Sequence, residues 1–276
     1  MHFRQFETPE SIHDELIDVI ATFPVHNTVK TEVLGAAEDW RVAEGMRQLI
    51  NHDPDTFKHV IQVGMLAAHL AEHDQLSDEH KKLLTMSSIM HDIGKTGIDL
   101  EIVNPVAGDA AKVAREAASS DRRFTAIKLH PQIGYLMAVN LFRDEAVDKY
   151  RRLVPELVLT HHCHNESRAQ YPDEAGFEAL EAEGVLDLVD LEDPELQWLG
   201  QYLAVADVYE AITAYRKYAQ GDGFEDPSKV LSSLLEAHPT MEDQINELME
   251  VHLRRFPPDG WMSTINLVAL SSQSEF

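Results

Sequence analysis

His91-Asp92-Ile93-Gly94-Lys95 is the densest piece of chemistry in this chain. An imidazole and a carboxylate stand side by side, and a cation follows the acid by three residues. A neutral ring nitrogen and a carboxylate oxygen can both donate to a divalent metal, while the ammonium can meet a phosphate. The stretch also reports on fold, because it closes an apolar periodic run. Leu83, Leu84, Met86, Ile89 and Met90 form one side of a helix that Ser77 and Asp78 can cap. That helix is expected to end near Asp92, with Gly94 as its terminator.

Helical periodicity extends in both directions. From Thr56 to Glu72, the residues Val60, Val63, Leu66, Ala67 and Leu70 recur at spacings of three and four. Pro131 suits the first turn of a helix through Ile133, Leu136, Met137 and Leu141. Pro155 is expected to open a short helix through Leu157, Val158 and Leu159 to the pair His161-His162. Trp198 to Tyr218 reads as a long helix stopped by Gly221-Asp222-Gly223. Strand signals are weak, so the fold class is all-α.

The bulk numbers bound the function. A chain of 276 residues can bury a substantial core. Its net charge of −25 repels nucleic acid polymers and anionic lipid at long range. A small anionic substrate is still compatible, because bound metal ions invert the local field. Mean hydropathy is −0.27, and no apolar run approaches the roughly 20 residues that span a bilayer. Cys163 is the only cysteine, which suits a reduced, cytoplasmic setting. Residues 173–195 are acidic with no Lys or Arg, and read as a solvated face. Residues 107–125 are Ala- and charge-rich and read as peripheral.

With 15 histidines, some near-matches to ligand patterns arise by chance. The set His59, His91, Asp92, His130, His161, His162 and Asp207 differs in context. His91-Asp92 and His161-His162 each follow an apolar helix end. Asp207 lies in the apolar stretch Ala204-Val205-Ala206-Asp207-Val208-Tyr209, where an ionised carboxylate is costly unless paired or ligating. Mixed imidazole and carboxylate donors suit Fe, Mn, Zn or Ni rather than Ca or Mg. The set exceeds one tetrahedral site and fits two ions about 3.5–4 Å apart, the arrangement used for phosphoester cleavage.

The order His59, His91-Asp92-Ile93-Gly94-Lys95, His130-Pro131-Gln132-Ile133-Gly134, His161-His162, Asp207-Val208-Tyr209-Glu210-Ala211 resembles the HD-GYP subgroup of the HD phosphohydrolase superfamily. The resemblance covers roughly residues 51–235. It implies an HD-domain helical bundle of about five to seven core helices holding two or three ions, iron or manganese. It further implies phosphodiesterase activity on cyclic di-GMP through a metal-activated hydroxide. By position, His59, His91, Asp92 and Asp207 would hold one ion and His130, His161 and His162 a second, with Asp92 bridging. Asp55, four residues before His59, is the candidate for a third. Lys95 would contact the scissile phosphate, Arg216 would grip phosphate, and Tyr171 would line the substrate.

The chain departs from that pattern after His161-His162. Cys163 stands where an acid is usual, Gln170 replaces the glycine of Gly-Tyr-Pro, and the loop's other glycines are absent, although Tyr171-Pro172 survive. Glycine permits close backbone approach to a ligand, so a different substrate lip is expected. Ala219 stands where a second basic residue is common. Two alternatives to cyclic di-GMP hydrolysis therefore remain: another nucleotide or phosphoester, or a catalytically weak nucleotide-binding signalling protein. The expected organisation is a helical extension over 1–50, a catalytic domain over 51–255 and a tail over 256–276. Residues 1–50 are too few for a receiver or GAF domain. Regulation is expected from that segment, an oligomer contact or another chain.

Overall fold

The computed structural model describes residues 9–103, 126–144, 146–164, 190–213 and 227–255, with isolated positions between 172 and 181. Every regular element among the described residues is helical. The chain opens with α1 (Pro9–Thr22), α2 (Asn27–Ala37) and α3 (Trp40–His52). The long α4 (Pro54–His73) and α5 (Asp78–Met90) follow, then a 3-10 turn (Ile93–Gly97) and the short α6 (Leu100–Val103). Beyond these come α7 (His130–Phe142), α8 (Asp148–Thr160), α9 (Pro194–Thr213), α10 (Pro227–Ala237) and α11 (Glu242–Arg255).

Helix α4 is the axis of the bundle. Its residues Phe57, Val60, Ile61, Val63, Met65, Leu66 and Leu70 are all buried, so it is apolar on nearly every side. It packs against α1, α2, α3, α5, α9 and α11. Asp53 starts it, accepting the backbone N–H of Asp55 and the hydroxyl of Thr56, with Pro54 in the first turn where its missing N–H costs nothing. Ser77 caps α5 as expected, accepting the N–H of His80. Leu16, Ile20, Val33, Val42 and Leu49 of the first three helices share one continuous core with the later ones. No described helix is long and apolar enough to cross a membrane.

Three boundaries differ from the sequence reading, each for a local reason. Helix α5 ends at Met90, and Gly94 sits inside the 3-10 turn without a left-handed conformation. Its lack of a side chain serves contact instead. A Cβ there would stand 1.9 Å from the His130 carbonyl and 2.4 Å from the Gly134 nitrogen, so only glycine lets the turn meet α7. Pro155 does not open α8. It lies inside a helix that begins at Asp148, and the burial of Leu153, Val154, Leu157 and Val158 compensates for the lost backbone bond. Helix α9 begins at Pro194, four residues before Trp198, and its described part ends at Thr213.

Candidate metal centre

Four helix ends and two helix faces converge on one buried point. His59 comes from α4, while Asp207 and Glu210 come from one face of α9. His91 closes α5 and Asp92 starts the 3-10 turn. His130 is the first residue of α7, and His161 closes α8 with His162 directly after it. His91, Asp92, His130 and His161 are each 1 % exposed.

The histidines are oriented before any ligand arrives. In His91, His130 and His161, Nδ1 donates to the carbonyl three residues earlier, on Ser88, Ile127 and Val158, each at 2.7 Å. A carbonyl only accepts, so Nδ1 carries the proton and Nε2 presents a lone pair in the neutral ring. The Nδ1 of His59 instead pairs with the carboxylate of Glu210. Ligating histidines are held in this manner by a carbonyl or carboxylate behind the ring.

The Nε2 atoms face inward. His59 Nε2 lies 3.1 Å from Asp207 Oδ1 and 3.5 Å from Asp92 Oδ2. His91 Nε2 lies 3.4 Å from Asp92 Oδ2 and 3.8 Å from Asp207 Oδ1. On the other side, His130 Nε2 is 3.1 Å from Asp92 Oδ1 and 3.2 Å from His161 Nε2. The His161 and His162 rings lie 4.0 Å apart between centroids. Asp92 thus turns one oxygen toward His59 and His91 and the other toward His130. Three overlapping groups have donor atoms within 4.8 Å of one another: His59-His91-Asp207, His91-Asp92-His161 and His130-His161-His162.

The electrostatics agree with that division. Burial works against ionising Asp92, yet Lys95, His91 and His130 outweigh it and hold the carboxyl well below the usual range. Burial likewise opposes ionisation of Asp207, and His59, His91 and His162 overcome it. His130 is pushed down by burial, and His161 further by burial and its neighbouring rings. His162 falls to about 3, from burial and His130. Burial also works against protonation of His59, but Glu210 and Asp207 raise it to about 10. The donor set therefore has two carboxylates and three neutral imidazoles. The buried Nε2 of His91 has no hydrogen-bond partner, as expected of an atom placed to meet a cation. The residues fit a divalent transition metal.

Residues 56–212 match the sequence pattern of the HD domain. The chain belongs to the HD domain family. HD domains bind divalent metals, and the histidine and aspartate groups here are suited to hold them. The chain is similar to three curated proteins named cyclic di-GMP phosphodiesterase. The Vibrio cholerae protein is 27% identical over 177 residues, which is 61% of this chain and 30% of that protein. The Pseudomonas aeruginosa protein is 26% identical over 174 residues, 63% of this chain and 34% of its own length. The Thermotoga maritima protein is 25% identical over 182 residues, 66% of this chain and 41% of its own length. This chain thus spans about a third of the length of the curated relatives it matches.

Of the remaining candidates, Lys95 lies at the edge of the HD centre, its Nζ donating to Asp92 Oδ2 at 2.5 Å. Asp55 is exposed on the first turn of α4 and belongs to none of the three groups. Tyr171 and Arg216 lie outside the described residues, as do Ala219, most of the loop after His164 and of the acidic 173–195 run, residues 107–125 and the tail 256–276. Sequence reasoning passed over Glu210. The signal was available, since an acid three residues after Asp207 in an apolar helix falls on the same face.

Proposed function

We propose that this chain is a metal-dependent phosphodiesterase of the HD-GYP subgroup, acting on cyclic di-GMP with two divalent transition ions, iron or manganese. The observation that carries the reading is Asp92, whose two oxygens face two separate histidine groups. The names of the curated relatives support the substrate. In this reading residues 51–255 form the catalytic unit, 1–50 a helical extension and 256–276 a tail. The single cysteine fits work in a reduced cytoplasmic compartment.

His59, His91, Asp92 and Asp207 would hold one ion and His130, His161 and His162 the other, with Asp92 bridging. A bound divalent pair supplies activated water at neutral pH and neutralises charge on phosphoryl oxygens. The protein's own part is preorganisation. The carbonyls of Ser88, Ile127 and Val158 keep three rings in the tautomer that ligates, and Glu210 does the same for His59. Lys95 exchanges its hold on Asp92 for one on the scissile phosphate, where an ammonium stabilises developing negative charge. Arg216 and Tyr171 are proposed as phosphate and substrate contacts. The chain's acidity makes a small anionic nucleotide a better substrate than a nucleic acid polymer.

A second reading keeps the ions and changes the substrate. It is favoured by the loop after His162, where Cys163 and Gln170 replace the usual acid and glycine. The test is anaerobic purification with metal analysis, then a hydrolysis panel of cyclic di-GMP, linear dinucleotide, cyclic mononucleotides and nucleoside phosphates. Turnover of cyclic di-GMP supports the first reading. Bound metal with turnover only of another phosphoester supports the second. Absence of bound transition metal sinks both and leaves a nucleotide-binding signalling role.

A further inference from the structure

Asp92 starts the 3-10 turn, yet its carboxylate does not cap that turn. Both oxygens are left to face the centre, and their position follows the path of the turn. The turn is closed by the Lys95 N–H donating to the Asp92 carbonyl at 3.0 Å and the Ile98 N–H to the Lys95 carbonyl at 3.1 Å. Lys95 rides on the same turn, so its ammonium moves together with the acid that it holds.

Two helices press on this turn. One is α7, where a Cβ on Gly134 would stand 3.3 Å from the Gly94 nitrogen and 3.5 Å from Ile93 Cγ2. The other is α3. Its Gly45 is buried, and a Cβ there would stand 2.4 Å from Met90 Sδ and 3.0 Å from Ile93 Cδ1. Met90 and Ile93 are the residues on either side of His91-Asp92, and both are 0% exposed. Ile93 therefore reaches from one helix to the other, Cδ1 toward α3 and Cγ2 toward α7. Glycine is a poor residue for the middle of a helix, and close approach to Met90 and Ile93 is what Gly45 provides in return. Gly35 on α2 is the contrast, with nothing within 4 Å of a Cβ.

Helix α3 is itself fixed at both ends. Near its start Arg41 donates to Asp39 at 2.7 Å and lays its guanidinium over the Phe142 ring of α7, 4.6 Å from the centroid. At its end the Asp53 N–H donates to the Leu49 carbonyl at 2.7 Å, and the same residue caps α4, which carries His59.

We propose that α3, through Gly45 against Met90 and Ile93, sets the position of Asp92 between the two metal subsites. Gly45 and Ile93 are then positioning residues. The inference rests on the two-ion reading above and extends it. Helix α3 lies before the matched HD segment of 56–212, so the helical extension is part of the working centre.

Two readouts on the full chain test it. The first is Mn²⁺ titration of metal-free protein followed by electron paramagnetic resonance. Gly45→Ala adds a methyl beside Ile93 Cδ1, and Ile93→Val removes that carbon, so the double variant conserves volume, the kind of exchange a core tolerates. Gly45→Ala is expected to weaken Mn²⁺ binding about 10-fold, as loss of support behind a ligand does, and to diminish the spin-coupled pair signal. Gly45→Ala/Ile93→Val should restore both. A parental signal and affinity in Gly45→Ala, or a loss that Ile93→Val does not reverse, overturns the proposal. So does an equal loss in Gly35→Ala.

The second readout needs no metal. Hydrogen exchange of the Lys95 and Ile98 amides should be several-fold faster in Gly45→Ala, while the amides of α8 keep their rates. The double variant should return the two amides to the parental rate. Equal rates, or faster exchange throughout the chain, overturn the proposal. If Gly45→Ala does not fold, Ile93→Val decides, because the gap it leaves beside Gly45 should speed the same two amides and parental rates overturn the proposal. The local change in a chain that binds no Mn²⁺ pair keeps α3 as the support of Asp92 and removes the two-ion reading.

Discussion

His59 and Glu210 stand 151 positions apart in the chain and meet through His59 Nδ1 and the Glu210 carboxylate. The pair joins the two helices that hold one end of the metal centre, α4 and α9. A carboxylate behind a ligating ring fixes its orientation and raises its basicity. Glu210→Gln should therefore lower metal affinity at the His59 end about 10- to 100-fold while the His130 end keeps its affinity. Competition with a chelator of known strength measures this. Unchanged affinity would show that Glu210 is only a packing acid.

Lys95 holds Asp92 at 2.5 Å and has 23% of its side chain exposed, which leaves it accessible from solvent. Lys95→Met should leave metal content near wild type and lower kcat about 10²- to 10³-fold, the cost of removing one donor to developing negative charge. Steady-state kinetics with metal analysis of the same sample separates the two effects. A variant that loses its metal instead would assign Lys95 to assembly of the centre.

Asp55 points to solvent one helical turn before His59 and stands apart from the three donor groups. Asp55→Ala should leave a two-ion centre fully loaded and remove any metal bound in excess of it. Metal analysis after anaerobic loading decides the matter. A fall to a single ion would make Asp55 part of the main site.

Gly94 admits no side chain, because a Cβ would meet the backbone of His130 and Gly134 rather than a movable side chain. Gly94→Ala should destabilise the fold by about 1–3 kcal/mol, as overpacking does, with metal affinity falling as His130 is displaced. Urea unfolding of the metal-free protein gives the first number. A midpoint equal to wild type would mean that α7 moves away freely.

Glu156 is 2% exposed on α8, and burial pushes its carboxyl up to about 8. Arg152, 3.0 Å away, opposes the rise, and Asp193 and Asp190 add to it. The folded chain therefore keeps a proton that the unfolded chain releases near 4.5. The stability this contributes is complete below about pH 4.5 and is lost as pH rises through about 8. Glu156→Gln should flatten that decline. Urea midpoints of both proteins at pH 5.5, 7 and 8.5 test it, and parallel curves would remove Glu156 as the cause.

Much of the candidate centre was legible in the chain because most of its candidate ligands sit at helix ends, which local signals mark. Apolar periodicity located α4 and α5, and the pair His91-Asp92 follows where the periodicity of α5 stops. Pro155 misled because its local preference for a helix start was overridden by the packing of α8. Gly94 misled because a glycine needed for contact and one needed for chain reversal look alike in sequence.

The amino-acid sequence by itself determined the helical class, the choice of candidate ligands and their order along the chain. Those follow from side-chain chemistry and from periods of three and four residues, which are local properties. Only the tertiary structure decided that Asp92 turns its two oxygens to different histidine groups and that Glu210 backs His59. These relationships join residues far apart in sequence. They depend on how the helices cross, and no local pattern encodes that.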